Sequence, residues 1–281
     1  MTVLEAIVLG VVQGLTEFLP ISSTAHLRIV PALLGWDDPG AAYSAVIQLG
    51  TVGAVLVYFA RDLVKLSRAF VRGLLDQRPF GTEESRLAWF VGLGTIPIGI
   101  LGLLFKTYIE TTLRSLWVMS ASLIALALVL WAVERLAKHT RTLKDMTLRD
   151  GLFIGCTQAV ALIPGSSRSG TTITGGLALG FTRADAAYYS FLLSIPATTL
   201  AGVFELRHFL KAMGPEAVAG AAPPQVGMLV VGTVVSFASG LLAIWGLLRF
   251  LRTRSTMVFI VYRLVLGAAL IGLLTAGILQ P

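Results

Sequence analysis

The sequence predicts an all-α integral membrane protein with six transmembrane helices and two re-entrant helix–turn–helix hairpins, arranged as an inverted-topology repeat. Its composition is the first observation behind this prediction. Of 281 residues, 56% are hydrophobic and 13% are charged, whereas soluble domains carry roughly 25% charged residues. The mean hydropathy of +0.82 excludes a soluble enzyme and a disordered chain.

Six long apolar runs are the second observation. A helix needs about 20 apolar residues to cross the hydrocarbon core of a bilayer. Runs of this kind lie at 41–60, 87–105, 116–133, 186–204, 227–248 and 264–279. Arg263 directly precedes the last run, and we expect its side chain to contact lipid headgroups or to extend to the interface.

Two interrupted apolar segments are the third observation. Residues 3–36 and 151–182 contain Pro, Ser, Gly and ionisable residues among the apolar ones. Irregular backbone at membrane depth survives only where protein or water satisfies its N–H and C=O groups. We therefore expect each segment to form a re-entrant hairpin that returns to its own side of the membrane.

The basic residues report on topology. They lie in the gaps between apolar runs and give a net charge of +7, so no nucleic-acid partner is expected. Fourteen Lys and Arg residues fall in 61–86, 135–149 and 249–256, against four in 106–115 and 206–226. Six crossings put these two groups of loops on opposite faces. Because basic loops stay in the cytoplasm, the first group is predicted to be cytoplasmic and both termini to lie outside.

The single cysteine and the first apolar run predict neither a disulfide nor a cleaved signal peptide. Cys156 is the single cysteine, so it permits no intramolecular disulfide, and we expect it to be a small packing residue. The first apolar run lacks a basic segment and a small-residue cleavage site, so no signal peptide is expected.

The two interrupted segments resemble each other within a single membrane domain. Their Pro-x-Ser-Ser cores, at 20–23 and 164–167, are offset by 144 residues. Each half of the chain, 1–140 and 145–281, is therefore predicted to hold one hairpin followed by three spans. An odd number of crossings inverts the second half relative to the first, so the two hairpins can meet near the midplane of the bilayer.

The first hairpin carries an unusual set of polar residues for its depth. They are Gln13, Glu17, Ser22, Ser23, Thr24 and His26. Gln13 and Glu17 share one helix face, and a new helix can begin at the serines that follow Pro20. His26 lies three residues after Ser23, so we expect its imidazole to approach that hydroxyl. Such groups are costly within a membrane and indicate a functional site.

The second hairpin contains one fixed cation, Arg168, among hydroxyls and glycines. Its polar neighbours are Ser166, Ser167, Ser169, Thr171 and Thr172. A guanidinium can bind phosphate oxygens through two parallel hydrogen bonds, and glycines let backbone N–H groups surround an anion. The pattern therefore predicts a phosphate site, with simple neutralisation of Glu17 by Arg168 as the alternative.

Residues 10–26 and 164–170 together resemble the two signature motifs of the bacterial undecaprenyl-pyrophosphate phosphatase (bacitracin-resistance) family. The similarity extends over essentially the whole chain, including its length and its doubled architecture. The first motif of the family has Glu or Gln, three further residues, and then Glu. Here these positions are Gln13 and Glu17, which leaves one carboxylate where some members of the family have two.

The resemblance implies hydrolysis of undecaprenyl pyrophosphate to the monophosphate lipid carrier that is reused in cell-wall synthesis. It also implies a divalent cation, Mg²⁺ or Ca²⁺, and a site in the bacterial inner membrane that opens to the outer, periplasmic side. The residues agree on the substrate class, because an anionic head on a long hydrocarbon tail needs a cation-lined pocket open to lipid. This lipid is the expected partner, and a homodimer is left open.

Roles for individual residues follow from these expectations. The predicted phosphate ligands are Arg168, Ser22, Thr24, Ser167, Ser169 and Thr171. The attacking group is Ser23 with His26 as base, His26 itself, or water. Glu17 is expected to act as general acid or base, to polarise His26, or to hold the metal ion, and Gln13 to orient its neighbours.

A rival function comes from the predicted architecture. Inverted repeats with broken helices at the midplane are also typical of transporters, so the chain is alternatively a transporter or flippase of a polyprenyl phosphate lipid. Phosphate release by detergent-solubilised protein separates the two functions, because transport needs a sealed membrane and hydrolysis does not.

Overall fold

A computed structural model of the chain describes residues 1–212 and 226–279. Of residues 41–42, 110, 205–206 and 208–212 it describes the backbone alone. The described residues form helices and no strand. The helices are α1 (Val3–Phe18), α2 (Ser23–Leu34), α3 (Gly40–Tyr58), α4 (Ala60–Leu75), α5 (Glu83–Leu104), α6 (Lys106–Glu110), α7 (Leu116–Leu136), α8 (Leu148–Ala159), α9 (Arg168–Ala178), α10 (Arg183–Ala212), α11 (Val226–Leu251) and α12 (Met257–Thr275).

The predicted all-α membrane fold is confirmed, and the described residues provide five or six candidate crossings. Five helices, namely α5, α7, α10, α11 and α12, are each long and apolar enough to cross a membrane. Helices α3 and α4 together provide a sixth candidate, with a bend of 74° between them. The basic connection 61–86 thus begins with a helix. Most of the predicted outer loop 206–226 lies outside the described residues.

The predicted hairpins correspond to α1–α2 and α8–α9. None of these four helices reaches the length of about 20 residues that a crossing needs, since the longest, α1, has 16. Prolines follow the first helical segment of each hairpin, and a proline disfavours helical backbone at the residue before it. Leu19 before Pro20 is extended, with ψ 142°, and Ile163 before Pro164 is extended, with ψ 116°.

The second helix of each hairpin begins in the same way. Ser22 caps α2 with φ 75° and ψ 99°, and its side chain accepts a hydrogen bond from the N–H of Ala25. Ser167 caps α9 with φ 69° and ψ 111°, and its side chain accepts from the N–H of Gly170. Positive φ is rare for serine, so the two turns share an uncommon backbone conformation.

Helix packing in the two halves also corresponds. Helix α1 packs on α11 and α8 packs on α5, while α3 packs on α10 and α7 on α12. Small residues allow these contacts: a Cβ on Gly14 would lie 1.9 Å from Ser239 Oγ, and one on Gly155 would lie 2.3 Å from the carbonyl oxygen of Gly94. The repeat boundaries 1–140 and 145–281, and the inversion across the membrane, stay predictions.

Two expectations for single residues are wrong. Cys156 is exposed on the surface of α8, so it is no packing residue. Arg263 lies inside α12, which begins at Met257, and its side chain is 0% exposed. It therefore neither contacts headgroups nor extends to the interface, because backbone carbonyl groups surround it inside the protein.

Candidate functional site

The turns of the two hairpins meet and form one site. The N–H of Gly165 donates to Thr24 Oγ1 at 3.5 Å, and Ser169 Oγ donates to the carbonyl oxygen of Leu19 at 2.9 Å. Arg168 and Glu17, separated by 151 positions in the sequence, form an ion pair at 2.9 Å. The meeting of the hairpins that the repeat predicted is therefore present.

The carboxylate of Glu17 is the centre of the site and is only 6% exposed. Its Oε1 accepts hydrogen bonds from Arg168 Nη2 at 2.9 Å and Gln48 Nε2 at 3.3 Å. Its Oε2 accepts from Ser23 Oγ at 2.7 Å and Gln13 Nε2 at 3.1 Å. Four donors converge on one buried carboxylate, which holds it in place and offers it directly to the hydroxyl proton of Ser23.

His26 is buried and has partners at both ring nitrogens. Nδ1 lies 2.7 Å from the carbonyl oxygen of Ser22, which can only accept, so Nδ1 carries the proton. Nε2 lies 2.6 Å from the hydroxyl of Tyr262 and therefore accepts from it. In this structure the two ring nitrogens bond to these groups and not to Ser23 or Glu17.

The remaining predicted hydroxyls mainly shape the two turns. Ser22 and Ser167 cap α2 and α9, and Thr171 Oγ1 donates to the carbonyl oxygen of Arg168 at 2.9 Å. Thr24 is exposed and Ser23 is half-buried. These two hydroxyls, at the beginning of α2, are the ones that a ligand can reach.

Arg168 offers two hydrogen-bond donors that the described residues leave unused. Its side chain is 10% exposed, and neither Nε nor Nη1 has a partner there. A buried donor without a partner costs about 1–3 kcal/mol. The first N–H groups of α9, where Arg168 lies, also lack partners within the helix and favour an anion. The arrangement fits a phosphate group.

A divalent cation fits these residues poorly. The part of the chain that the structure describes has no group of three or more His, Cys, Asp or Glu side chains that would hold a metal ion. Both oxygens of Glu17 are occupied by donors, one of them a guanidinium. The side-chain amide nitrogen of Gln13 faces the carboxylate of Glu17. The amide oxygen of Gln13 therefore does not act together with Glu17 as a metal ligand.

Three residues of the site were not predicted. They are Gln48 on α3, and Tyr262 and Arg263 on α12. The signal for each was a polar side chain within an otherwise apolar run. Hydropathy alone does not say which face of a helix such a residue occupies, so their contacts had to come from the tertiary structure.

Comparisons with known proteins all point to one family and cover almost the entire chain. Residues 6–269 match the family model described as "Bacitracin resistance protein BacA". An undecaprenyl-diphosphatase of Myxococcus xanthus is 65% identical over 281 residues, which is 100% of this chain and 92% of the relative. Undecaprenyl-diphosphatases of Chloroherpeton thalassium and Chlorobium chlorochromatii are 52% and 50% identical, with 100% of this chain and 99% and 100% of the relatives covered. On these matches, the chain belongs to the bacitracin resistance protein BacA family.

Proposed function

We propose that this chain is an undecaprenyl-diphosphatase, which hydrolyses undecaprenyl pyrophosphate to undecaprenyl phosphate and inorganic phosphate and so recycles the lipid carrier for cell-wall synthesis. The observation that carries the proposal is Arg168, largely buried and with two donors that have no partner among the described residues, beside the hydrogen-bonded pair of Ser23 and Glu17. An anion site next to a hydroxyl that donates to a carboxylate is what this reaction needs. The names of the relatives support the same activity.

Among the three attacking groups, the geometry favours Ser23 with Glu17 as general base. Ser23 Oγ already donates to Glu17 Oε2 at 2.7 Å, so the carboxylate takes the proton as Oγ bonds to the terminal phosphorus. The bond from that phosphorus to the bridging oxygen breaks, and undecaprenyl phosphate leaves with the electron pair.

A second step regenerates the serine. Water attacks the phosphoserine, Glu17 returns the proton to Ser23 Oγ as the phosphorus–Oγ bond breaks, and dihydrogen phosphate leaves with the oxygen and both protons of the water. His26 is held by Ser22 and Tyr262 and orients the beginning of α2 instead of acting as the base.

Arg168 binds the substrate phosphates through Nε and Nη1, which have no partner among the described residues, while Nη2 donates to Glu17. These two donors lie on different edges of the guanidinium, so each makes its own charge-assisted hydrogen bond to a phosphate oxygen and positions the phosphate as well as neutralising it. The phosphate also competes with Glu17 for the guanidinium, which leaves the carboxylate a stronger base. The Mg²⁺ or Ca²⁺ that the resemblance implies is proposed to arrive bound to the pyrophosphate, since Glu17 is occupied.

The protein is a multi-pass membrane protein, and we place it in the bacterial inner membrane with the site open to the periplasmic side. The asymmetry of basic residues supports this orientation: Arg61, Lys65, Arg68 and Arg72 lie exposed along α4, on the face predicted to be cytoplasmic. The proposed activity also supports a role in bacitracin resistance.

Phosphate release from undecaprenyl pyrophosphate by the purified protein in detergent tests the function. We expect wild-type protein to release phosphate, and Ser23→Ala and Arg168→Ala to lose most of the activity. Ser67→Ala and Arg68→Ala, on the exposed side of α4, are matched controls that stay active. No release by the wild type, or equal release by Ser23→Ala, overturns the proposal. Detergent activity also argues against transport as the sole function, because no sealed membrane is present.

A further inference from the structure

Arg263 is a completely buried cation without a carboxylate partner in the described part of the chain. Its side chain is 0% exposed, and the ion pairs found among described residues do not include it. Burying an uncompensated charge is expensive. An arginine at such a place needs an explanation beyond packing.

Among the described residues, only backbone carbonyl groups accept hydrogen bonds from this guanidinium. The acceptors are the carbonyl oxygens of Leu123 (3.2 Å), Ser122 (3.3 Å), Pro20 (3.4 Å), Gly165 (3.3 Å) and Ser166 (3.1 Å). Two belong to α7, one to the turn of the first hairpin and two to the turn of the second. One planar side chain therefore connects both turns of the site to a spanning helix.

The surroundings leave little room for another arrangement. A Cβ on Gly170, in the first turn of α9, would lie 2.9 Å from Arg263 Nη1. Gly165 has φ +91°, and a Cβ there would lie 2.3 Å from Ser122 Oγ, which donates to the carbonyl oxygen of Pro164 at 2.6 Å. The second turn is thus packed tightly between α7 and the side chain of Arg263.

We propose that Arg263 is a positioning residue for phosphate binding, which holds the carbonyl groups of both turns and keeps them away from the bound anion. The inference rests on the proposed function and extends it to a residue that does not touch the substrate. Carbonyl oxygens that turned toward the phosphate would repel it, whereas carbonyls bound to Arg263 leave the N–H ends of α2 and α9 to face it. The buried positive charge adds to the attraction, since it acts through protein and not through water.

The test compares Arg263→Lys and Arg263→Met with Arg183→Lys in the full-length protein. Arg183 is a matched control: it is half-buried, 30% exposed, and its Nε donates to Glu134 at 2.7 Å outside the site. For each variant we measure the thermal unfolding midpoint, the Kd for methylenediphosphonate, a pyrophosphate analogue that is not hydrolysed, and kcat/KM for undecaprenyl pyrophosphate per folded molecule.

We expect both Arg263 variants to bind the analogue about tenfold more weakly or worse, and kcat/KM to fall by at least the same factor. Lysine keeps the charge but lacks the planar guanidinium that bonds to α7 and to both turns. Arg263→Lys is therefore expected to stay folded and still lose affinity for the analogue. Arg183→Lys is expected to lower the unfolding midpoint and leave Kd unchanged.

A Kd within twofold of wild type in Arg263→Lys, or a loss of stability alone in both Arg263 variants, overturns the inference. Failure of the proposed function looks different. In that case the wild type releases no phosphate. The Kd of the Arg263 variants for the analogue can still be measured, and it tests the role of Arg263 in anion binding independently of hydrolysis.

Discussion

Replacing Arg168 with lysine separates charge from geometry at the phosphate site. The guanidinium donates to Glu17 from Nη2 at 2.9 Å and keeps Nε and Nη1 without partners among the described residues. A lysine ammonium can retain the ion pair with Glu17 but has no counterpart of the separate Nε and Nη1 donors that are proposed to bind phosphate. Two hydrogen bonds to charged groups, worth about 1.5–3 kcal/mol each, are lost.

The expected loss in transition-state binding is therefore about 3–6 kcal/mol, which lowers kcat/KM about 10²- to 10⁴-fold. The assay is phosphate release from undecaprenyl pyrophosphate in detergent, normalised to folded protein. Arg141→Lys is the matched control, because Arg141 contacts both carboxylate oxygens of Asp150, at 3.2 and 2.7 Å, away from the site. If kcat/KM of Arg168→Lys stays within tenfold of wild type, the proposed role of the Nε and Nη1 donors of Arg168 in phosphate binding is refuted.

Three further variants test the surroundings of the site. Tyr262→Phe leaves the buried Nε2 of His26 without its donor at 2.6 Å and is expected to lower kcat/KM about tenfold; unchanged kinetics would show that this hydrogen bond positions nothing. Gln13→Glu should leave any effect of added Mg²⁺ on phosphate release unchanged, since Gln13 only donates to Glu17, and a tenfold shift in the half-activating Mg²⁺ concentration would show that this position can hold a metal ion. Gly165→Ala, at φ +91° and with its Cβ 2.3 Å from Ser122 Oγ, should lower the thermal unfolding midpoint by several degrees, and an unchanged midpoint would contradict the tight packing of this turn.

The composition of the site was largely predictable from the chain. Glu17, Ser23 and Arg168 stand out because polar groups are costly at membrane depth, and the structure brings all three together. The repeated Pro-x-Ser-Ser pattern also predicted where the two turns would be, since a proline ends the preceding helix and a serine caps the next one.

The pairing within the site was not predictable. Ser23 and His26 are three residues apart in one helix, a spacing that allows contact. The hydroxyl instead donates to the carboxylate of Glu17, and His26 bonds to Ser22 and Tyr262. A charged oxygen is the better acceptor for the hydroxyl, and its position depends on helices that approach from elsewhere in the sequence.

Hydropathy and helix breaking act along the chain, so the amino-acid sequence alone predicts the membrane fold, its apolar runs, the two interrupted segments and the chemical types at the site. The donors that meet Glu17 and the burial of Arg263 follow from the folding of distant segments onto one another. A guanidinium that binds carbonyl groups of α7 and of both turns depends on segments roughly 100 to 240 positions away from it in the sequence. Contacts over such separations arise from packing, and a local pattern of residues does not encode them.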